Sequence, residues 1–152
     1  MDVANTVLMR GDPQFAFTLA AAVEDWPRLL PHYRSVAILA EQGHRRHVRM
    51  AALRTGIPVA WTAWQEVLLA EDRITYHHTG GRLIAMEVEW SFQPTADGVQ
   101  VQLAHHYEPQ YRWLPRSLQP WLAEQVAGRF FVQHIAGQTL RVLRDHVEAA
   151  GR

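Results

Sequence analysis

The chain has 152 residues and a mass of 17.4 kDa, the size of a single domain with one core. Its 48% hydrophobic and 20% charged residues exclude a disordered chain, and fifteen arginines balance fifteen acidic residues to zero net charge, which argues against nucleic-acid binding. There is no cysteine and no lysine, so disulfides, thiolate nucleophiles, Cys-ligated metal clusters and lysine Schiff bases are all excluded.

Stretches free of charged side chains reach only eleven residues (13–23, 55–65 and 130–140), against about 20 for a membrane span. The opening Met1-Asp2-Val3-Ala4 has neither a basic segment nor an apolar leader. A cytoplasmic protein without a transmembrane segment is expected. In chain order, residues 3–10 read as a short strand, broken by Gly11. Asp12-Pro13 reads as a helix start, with Asp as N-cap and Pro at the first helical position. Phe15, Leu19, Ala22 and Val23 then recur at helical spacing. Asp25-Trp26-Pro27 starts a second, short helix that Pro31 ends.

From residue 35 the period becomes two. Val36, Ile38 and Ala40 alternate, Gln42-Gly43 turns, and residues 44–54 alternate again through Val48, Met50 and Ala52. Thr55-Gly56-Ile57-Pro58 reads as a turn before a strand over 59–69, and Glu71-Asp72 as a turn before a strand over 73–79. Gly80-Gly81 marks a tight hairpin into 83–93, and Asp97-Gly98 a hairpin into 99–107. After the loop 108–116 a long helix is expected from about Ser117 to Ala149, with Val126, Phe130, Gly137, Leu140, Leu143 and Val147 on one stripe. Gly128 and Gly137 are costly in a helix, by about 1 kcal/mol each, and suggest a close approach or a cavity wall.

The predicted order is therefore β-α-α, six antiparallel strands, and one long helix, in a single α+β domain over 1–152. Six strands with one apolar face each need a cover, and the C-terminal helix is the long cover available. A strongly curved sheet around one helix implies an internal cavity.

Three motifs carry a resemblance. Asp12-Pro13-Gln14-Phe15-Ala16-Phe17, Val23-Glu24-Asp25-Trp26-Pro27-Arg28-Leu29-Leu30-Pro31, and Trp90-Ser91-Phe92 followed by Asp97-Gly98 resemble segments of the START-like (SRPBCC) helix-grip superfamily. The likeness spans essentially the whole chain. It is nearest to the polyketide cyclase/dehydrase branch, including aromatase/cyclases, and to coenzyme Q-binding proteins. It implies a curved antiparallel sheet gripping a long helix, on a scaffold that serves carriers, sensors and enzymes alike.

Strand parity selects the inward residues. With Trp90 and Phe92 inward, Met86 and Val88 follow, as do His105 and Tyr107 on the next strand, and Ile74, Tyr76 and His78 on 73–79. On 59–69 two sets compete: Trp61, Ala63, Gln65 and Val67, or Thr62, Trp64, Glu66 and Leu68. The first is preferred because it leaves Thr62 and Glu66 in water. The candidate ligand-binding set is Trp26, Tyr33, Trp61, Gln65, Tyr76, His78, Met86, Val88, Trp90, His105, Tyr107 and Phe130. It suits a flat, largely apolar molecule with a few oxygens.

His105 is the first candidate acid/base, since an unperturbed imidazole titrates near 6.5. Tyr107 and Tyr76 are candidate proton-transfer partners. The alternative for each is a core residue satisfied within the protein. In aromatase/cyclases the resemblance implies a Trp after the first helix, a nearby Tyr and an inward Arg beyond the Trp of a central strand. Trp26 and Tyr33 match; at the Arg position stands Gln65 or Glu66, with Arg46 and Arg54 one strand earlier. Such an Arg would stabilise a developing enolate.

No metal site is expected, because His77-His78 and His105-His106 each split across two faces of a strand and no carboxylate joins them at ligand spacing. No cofactor is expected either. The loop 109–116, with Tyr111, Trp113 and Leu114 among arginines, suits a pocket lid, packing under the helix or peripheral membrane contact. A monomer or homodimer is expected. The leading reading is a carrier or binding protein for a small hydrophobic or aromatic ligand such as a lipid, quinone or polyketide. The alternatives are a polyketide cyclase/dehydratase and a protein-interaction or stress-response module.

Overall fold

The computed structural model describes residues 2–54, 56–80, 84–109, 115–118 and 129–151; the side chains at 54, 57, 80, 84, 85, 107–109 and 129–133 lie outside that description. Seven strands run β1 (Asp2–Met9), β2 (Tyr33–Gln42), β3 (Arg45–Arg54), β4 (Ile57–Leu68), β5 (Arg73–Gly80), β6 (Ile84–Thr95) and β7 (Gly98–Pro109). The helices are α1 (Pro13–Ala21), α2 (Trp26–Leu29) and α3 (Arg129–Ala150). The strands form one antiparallel sheet in the order β1-β7-β6-β5-β4-β3-β2. Six of them follow one another as neighbours, and β1 crosses to the free edge of β7. This is the curved sheet and C-terminal helix expected from the helix-grip order.

Local chemistry explains the element ends. The Asp12 carboxylate accepts the Gln14 backbone N–H at 3.1 Å, capping α1 ahead of Pro13. The β6–β7 hairpin requires Gly98, which has φ 146 and whose added Cβ would collide with the Met9 carbonyl oxygen. β1 therefore lies tight against this hairpin, with Met9 opposite Val99.

Most strand ends differ from the sequence expectation by one or two residues, Glu108 and Pro109 among them belonging to β7 and not to the loop, and three further differences have a clear cause or consequence. Ile57 and Pro58 belong to β4 and not to a turn; among the described residues β5 pairs with β4 only from Thr62 onward, so no described partner on that side needs the N–H that Pro58 lacks. α1 stops at Ala21, and Val23–Asp25 forms a 3-10 turn. Ser117 does not begin a helix: residues 116–118 form a turn closed by the Leu118 N–H on the Pro115 carbonyl at 2.9 Å. The final helix is described from Arg129.

The inner face of the sheet carries Val48, Met50, Ala52, Ala63, Ile74, Tyr76, Trp90, Phe92, Val99, Val101 and Leu103, all buried. α3 meets them with Ile135, Ala136, Thr139, Leu140, Leu143 and Val147. Gly137 is not a close-packing device, since an added Cβ would meet nothing within 4 Å. Among the described residues no helix is long and apolar enough to cross a membrane.

Candidate functional site

Between the sheet and α3 lies a cavity of about 70 Å³, room for about five waters at the volume one requires. Its walls are Trp26, Tyr33, Met50, Trp61, Tyr76, His78, Met86, Val88, Trp90, Leu103, His105, Ile135, Ala136 and Thr139. The hollow expected from the curved sheet is there, but most of it is filled by aromatic rings. Trp26 meets Tyr33 edge-on with centroids 5.0 Å apart and leans on Trp90 at 6.0 Å. Tyr33 continues to Trp61 at 6.1 Å, and Trp61 stacks on His78 at 6.3 Å. The Trp26 indole N–H donates to the Leu19 carbonyl, fixing the ring at the end of α1.

Nine of the sequence candidates are on this wall: Trp26, Tyr33, Trp61, Tyr76, His78, Met86, Val88, Trp90 and His105. β4 presents Trp61, Ala63 and Gln65 to the inside, while Trp64 lies outside, stacked with His47 at 4.9 Å and under the Arg45 guanidinium. Gln65 is fully buried but stands behind the wall, bonded to the Tyr76 hydroxyl at 3.0 Å. The side chains of Tyr107 and Phe130, the Arg54 side chain and most of the loop 109–116 lie outside the described residues.

The predicted stripe on α3 supplies Leu140, Leu143 and Val147 to the core, but it did not include Ile135, Ala136 and Thr139, which α3 presents to the cavity. Sequence reasoning also missed His32, which is buried and shares a 2.9 Å hydrogen bond with the Thr139 hydroxyl. His32 was visible only as a polar residue between Pro31 and Tyr33, with no periodic signal.

The position where an arginine was expected is organised differently. Arg46 lies opposite Gln65 in the β3–β4 register. Its Nε and Nη2 both donate to the Gln65 Oε1, at 3.0 and 2.8 Å. Nη2 also donates to the Ala21 carbonyl, and Nη1 meets the Glu24 carboxylate at 3.0 Å. Gln65 Nε2 in turn donates to the Ala21 carbonyl at 2.9 Å and to the Tyr76 oxygen at 3.0 Å. Arg46 thus acts on the cavity wall through Gln65.

The inner imidazoles are electrostatically alike. Burial holds His78 and His105 down to about 4, aided for His105 by the neighbouring His78. His32 is also held at about 4, by burial and then by His134. All three are neutral at pH 7. His78 Nδ1 lies 3.1 Å from the Met86 carbonyl. His105 Nδ1 is buried with no partner among the described residues. Burial pushes the phenols of Tyr33 and Tyr76 well above their usual range.

On the outer face the expectation that no carboxylate meets the histidine pairs needs correction. His77 lies 3.3 Å from Glu87, and His106 lies 2.5 Å from Asp2. The strand register puts Asp2, His106, Glu87 and His77 in one row across β1, β7, β6 and β5. Among the described residues no three such side chains converge as metal ligands.

This architecture has clear relatives among solved structures. The Zhui aromatase/cyclase from Streptomyces sp. R1128 superposes with a TM-score of 0.87 at 19% identity, covering 100% of this chain and 96% of that one. TTHA0849 from Thermus thermophilus gives 0.81 at 23% identity, covering 100% of both chains. A START superfamily protein from Mycobacterium smegmatis gives 0.75 at 18% identity and 98% of both. At these identities the likeness defines the fold, the START-like helix-grip. The chain belongs to the family described as polyketide cyclase/dehydrase and lipid transport, whose model matches residues 9–131. No curated protein matches it by sequence.

Proposed function

We propose that the protein binds a small hydrophobic or aromatic molecule between its sheet and α3, as a carrier or binding protein. The observation that carries this reading is the ring-lined cavity, whose few polar groups are neutral at pH 7. The family's link to lipid transport supports it. Pockets for drug-sized ligands measure roughly 300–1,000 Å³, so a multi-ring ligand has to displace wall side chains as it enters. Burying its apolar surface provides the driving force, about 25 cal/mol per Å² before the costs of binding.

The whole-chain likeness to an aromatase/cyclase favours a second reading, cyclisation or dehydration of a polyketide chain. In it His105 and Tyr76 are the proton-transfer groups. Among the described residues His105 has no orienting partner on its buried Nδ1, and burial holds its pKa at about 4, which leaves little imidazolium at neutral pH to act as an acid.

The test is to purify the wild type and Ala136→Leu from the native host and to analyse organic extracts by mass spectrometry. Ala136 is buried on the cavity wall, and the larger side chain occupies the free space. An apolar compound enriched in the wild type and absent from the variant is expected; identical extracts contradict the binding reading. Turnover of a linear poly-β-ketone mimic that His105→Ala abolishes favours the enzyme instead.

A further inference from the structure

The hydrogen-bond directions behind the cavity wall are all determined, and they begin at a group that can only donate. A guanidinium has no acceptor, so the atom of Gln65 that takes two bonds from Arg46 is its carbonyl oxygen. The amide NH2 therefore faces the other way, toward the Ala21 carbonyl and the Tyr76 oxygen. Since a carbonyl also only accepts, Ala21 confirms the same orientation. The Tyr76 oxygen is thus an acceptor toward Gln65. Its own hydrogen finds no acceptor among the described residues, and Tyr76 lies on the cavity wall.

Two residues further along β5, on the same face, the opposite polarity is imposed. His78 Nδ1 lies against the Met86 carbonyl, so Nδ1 carries the proton and Nε2 holds a lone pair. No group among the described residues occupies Nε2. Burial keeps this imidazole neutral at pH 7, so Nε2 stays an acceptor, and it keeps the Tyr76 phenol protonated.

We infer that Arg46, acting through Gln65, fixes Tyr76 as a hydrogen-bond donor to the ligand, while the Met86 carbonyl fixes His78 as an acceptor. The two sit about 7 Å apart along the strand. The ligand class this selects is a flat apolar molecule with a carbonyl at one end and a hydroxyl at the other. Arg46 and Gln65 are positioning residues, because they reach the ligand only through Tyr76. The inference rests on ligand binding in the cavity and adds the ligand's polarity to it.

Four probes test it by calorimetric titration: naphthalene, 2-naphthol, 1-tetralone and 6-hydroxy-1-tetralone. The wild type is expected to bind naphthalene weakest and 6-hydroxy-1-tetralone tightest. Tyr76→Phe should weaken both tetralones about fivefold to tenfold, the worth of one hydrogen bond, and leave naphthalene within twofold. Gln65→Glu supplies a carboxylate that accepts from both Arg46 and the Tyr76 hydroxyl. It should lower the affinity for 1-tetralone relative to 2-naphthol, compared with the wild type, a change of ratio that mere loosening of the fold does not produce. If Tyr76→Phe binds 1-tetralone as the wild type does, the donor assignment is overturned while the binding reading stands. If the wild type binds none of the four, both fall.

Discussion

The two faces of β4, β5 and β7 are built from the same residue types and behave differently. Trp61, His78 and His105 face inward; Trp64, His77 and His106 face outward, one to three residues away in sequence. Inside, burial strips the histidines of their charge and leaves the His105 Nδ1 without a partner among the described residues. Outside, His77 and His106 each have a carboxylate beside them, and Trp64 stacks on His47 and meets the Arg45 guanidinium. Residue type alone assigns no chemistry here. The alternation of the strand decides which histidine is buried and uncharged and which meets a carboxylate at the surface.

Acid should separate the faces most strongly. The unfolded chain binds protons on His32, His78 and His105 near 6.5, whereas the folded protein takes them up only near 4. Stability is therefore fully present above 6.5 and falls as the pH drops toward 4, by up to about 1.4 kcal/mol per pH unit for each histidine. Urea unfolding between pH 7 and 4.5 measures the slope. His78→Leu should flatten it, and His77→Leu, on the outer face, should not.

Trp90→Ala should follow in size. Trp90 is 2% exposed and touches both Trp26 and Phe92, and such truncations cost about 3–5 kcal/mol. Arg46→Met should cost about 2–3 kcal/mol, because it leaves the fully buried Gln65 carbonyl without its charged donors. Chemical denaturation of each variant checks both figures. At the bottom of the scale, His77→Ala removes a contact between two exposed side chains, and a change within about 0.5 kcal/mol is expected. A loss there as large as that of Arg46→Met would erase the distinction between the faces.

Much of this division was legible from the sequence. Asp12-Pro13 and Asp97-Gly98 punctuate the chain, and the period of two between turns assigns Tyr76, His78, Met86, Val88, Trp90 and His105 to one face, while the turn expected at Gly80-Gly81 lies outside the described residues. The choice on β4 was harder, because Trp61 and Trp64 fall on opposite sets and each set carries a Trp. What resolves it is the structure around Gln65, whose polar atoms all find partners in the interior. That network joins Glu24, Arg46, Gln65 and Tyr76 across four elements, and no local pattern announces it. On α3 periodicity placed Leu140, Leu143 and Val147 correctly but left out Ile135, Ala136 and Thr139, because Gly137 and Thr139 interrupt the apolar pattern.

The central claim is that a ligand enters the space between the sheet and α3. Methionine methyl groups report on it directly, since Met50 and Met86 line the cavity while Met9 is buried away from it. In a ¹³C-methyl NMR titration with 6-hydroxy-1-tetralone, the Met50 and Met86 signals should shift saturably and the Met9 signal should stay in place. Saturable binding that moves Met9 alone, or leaves all three unmoved, would contradict the account.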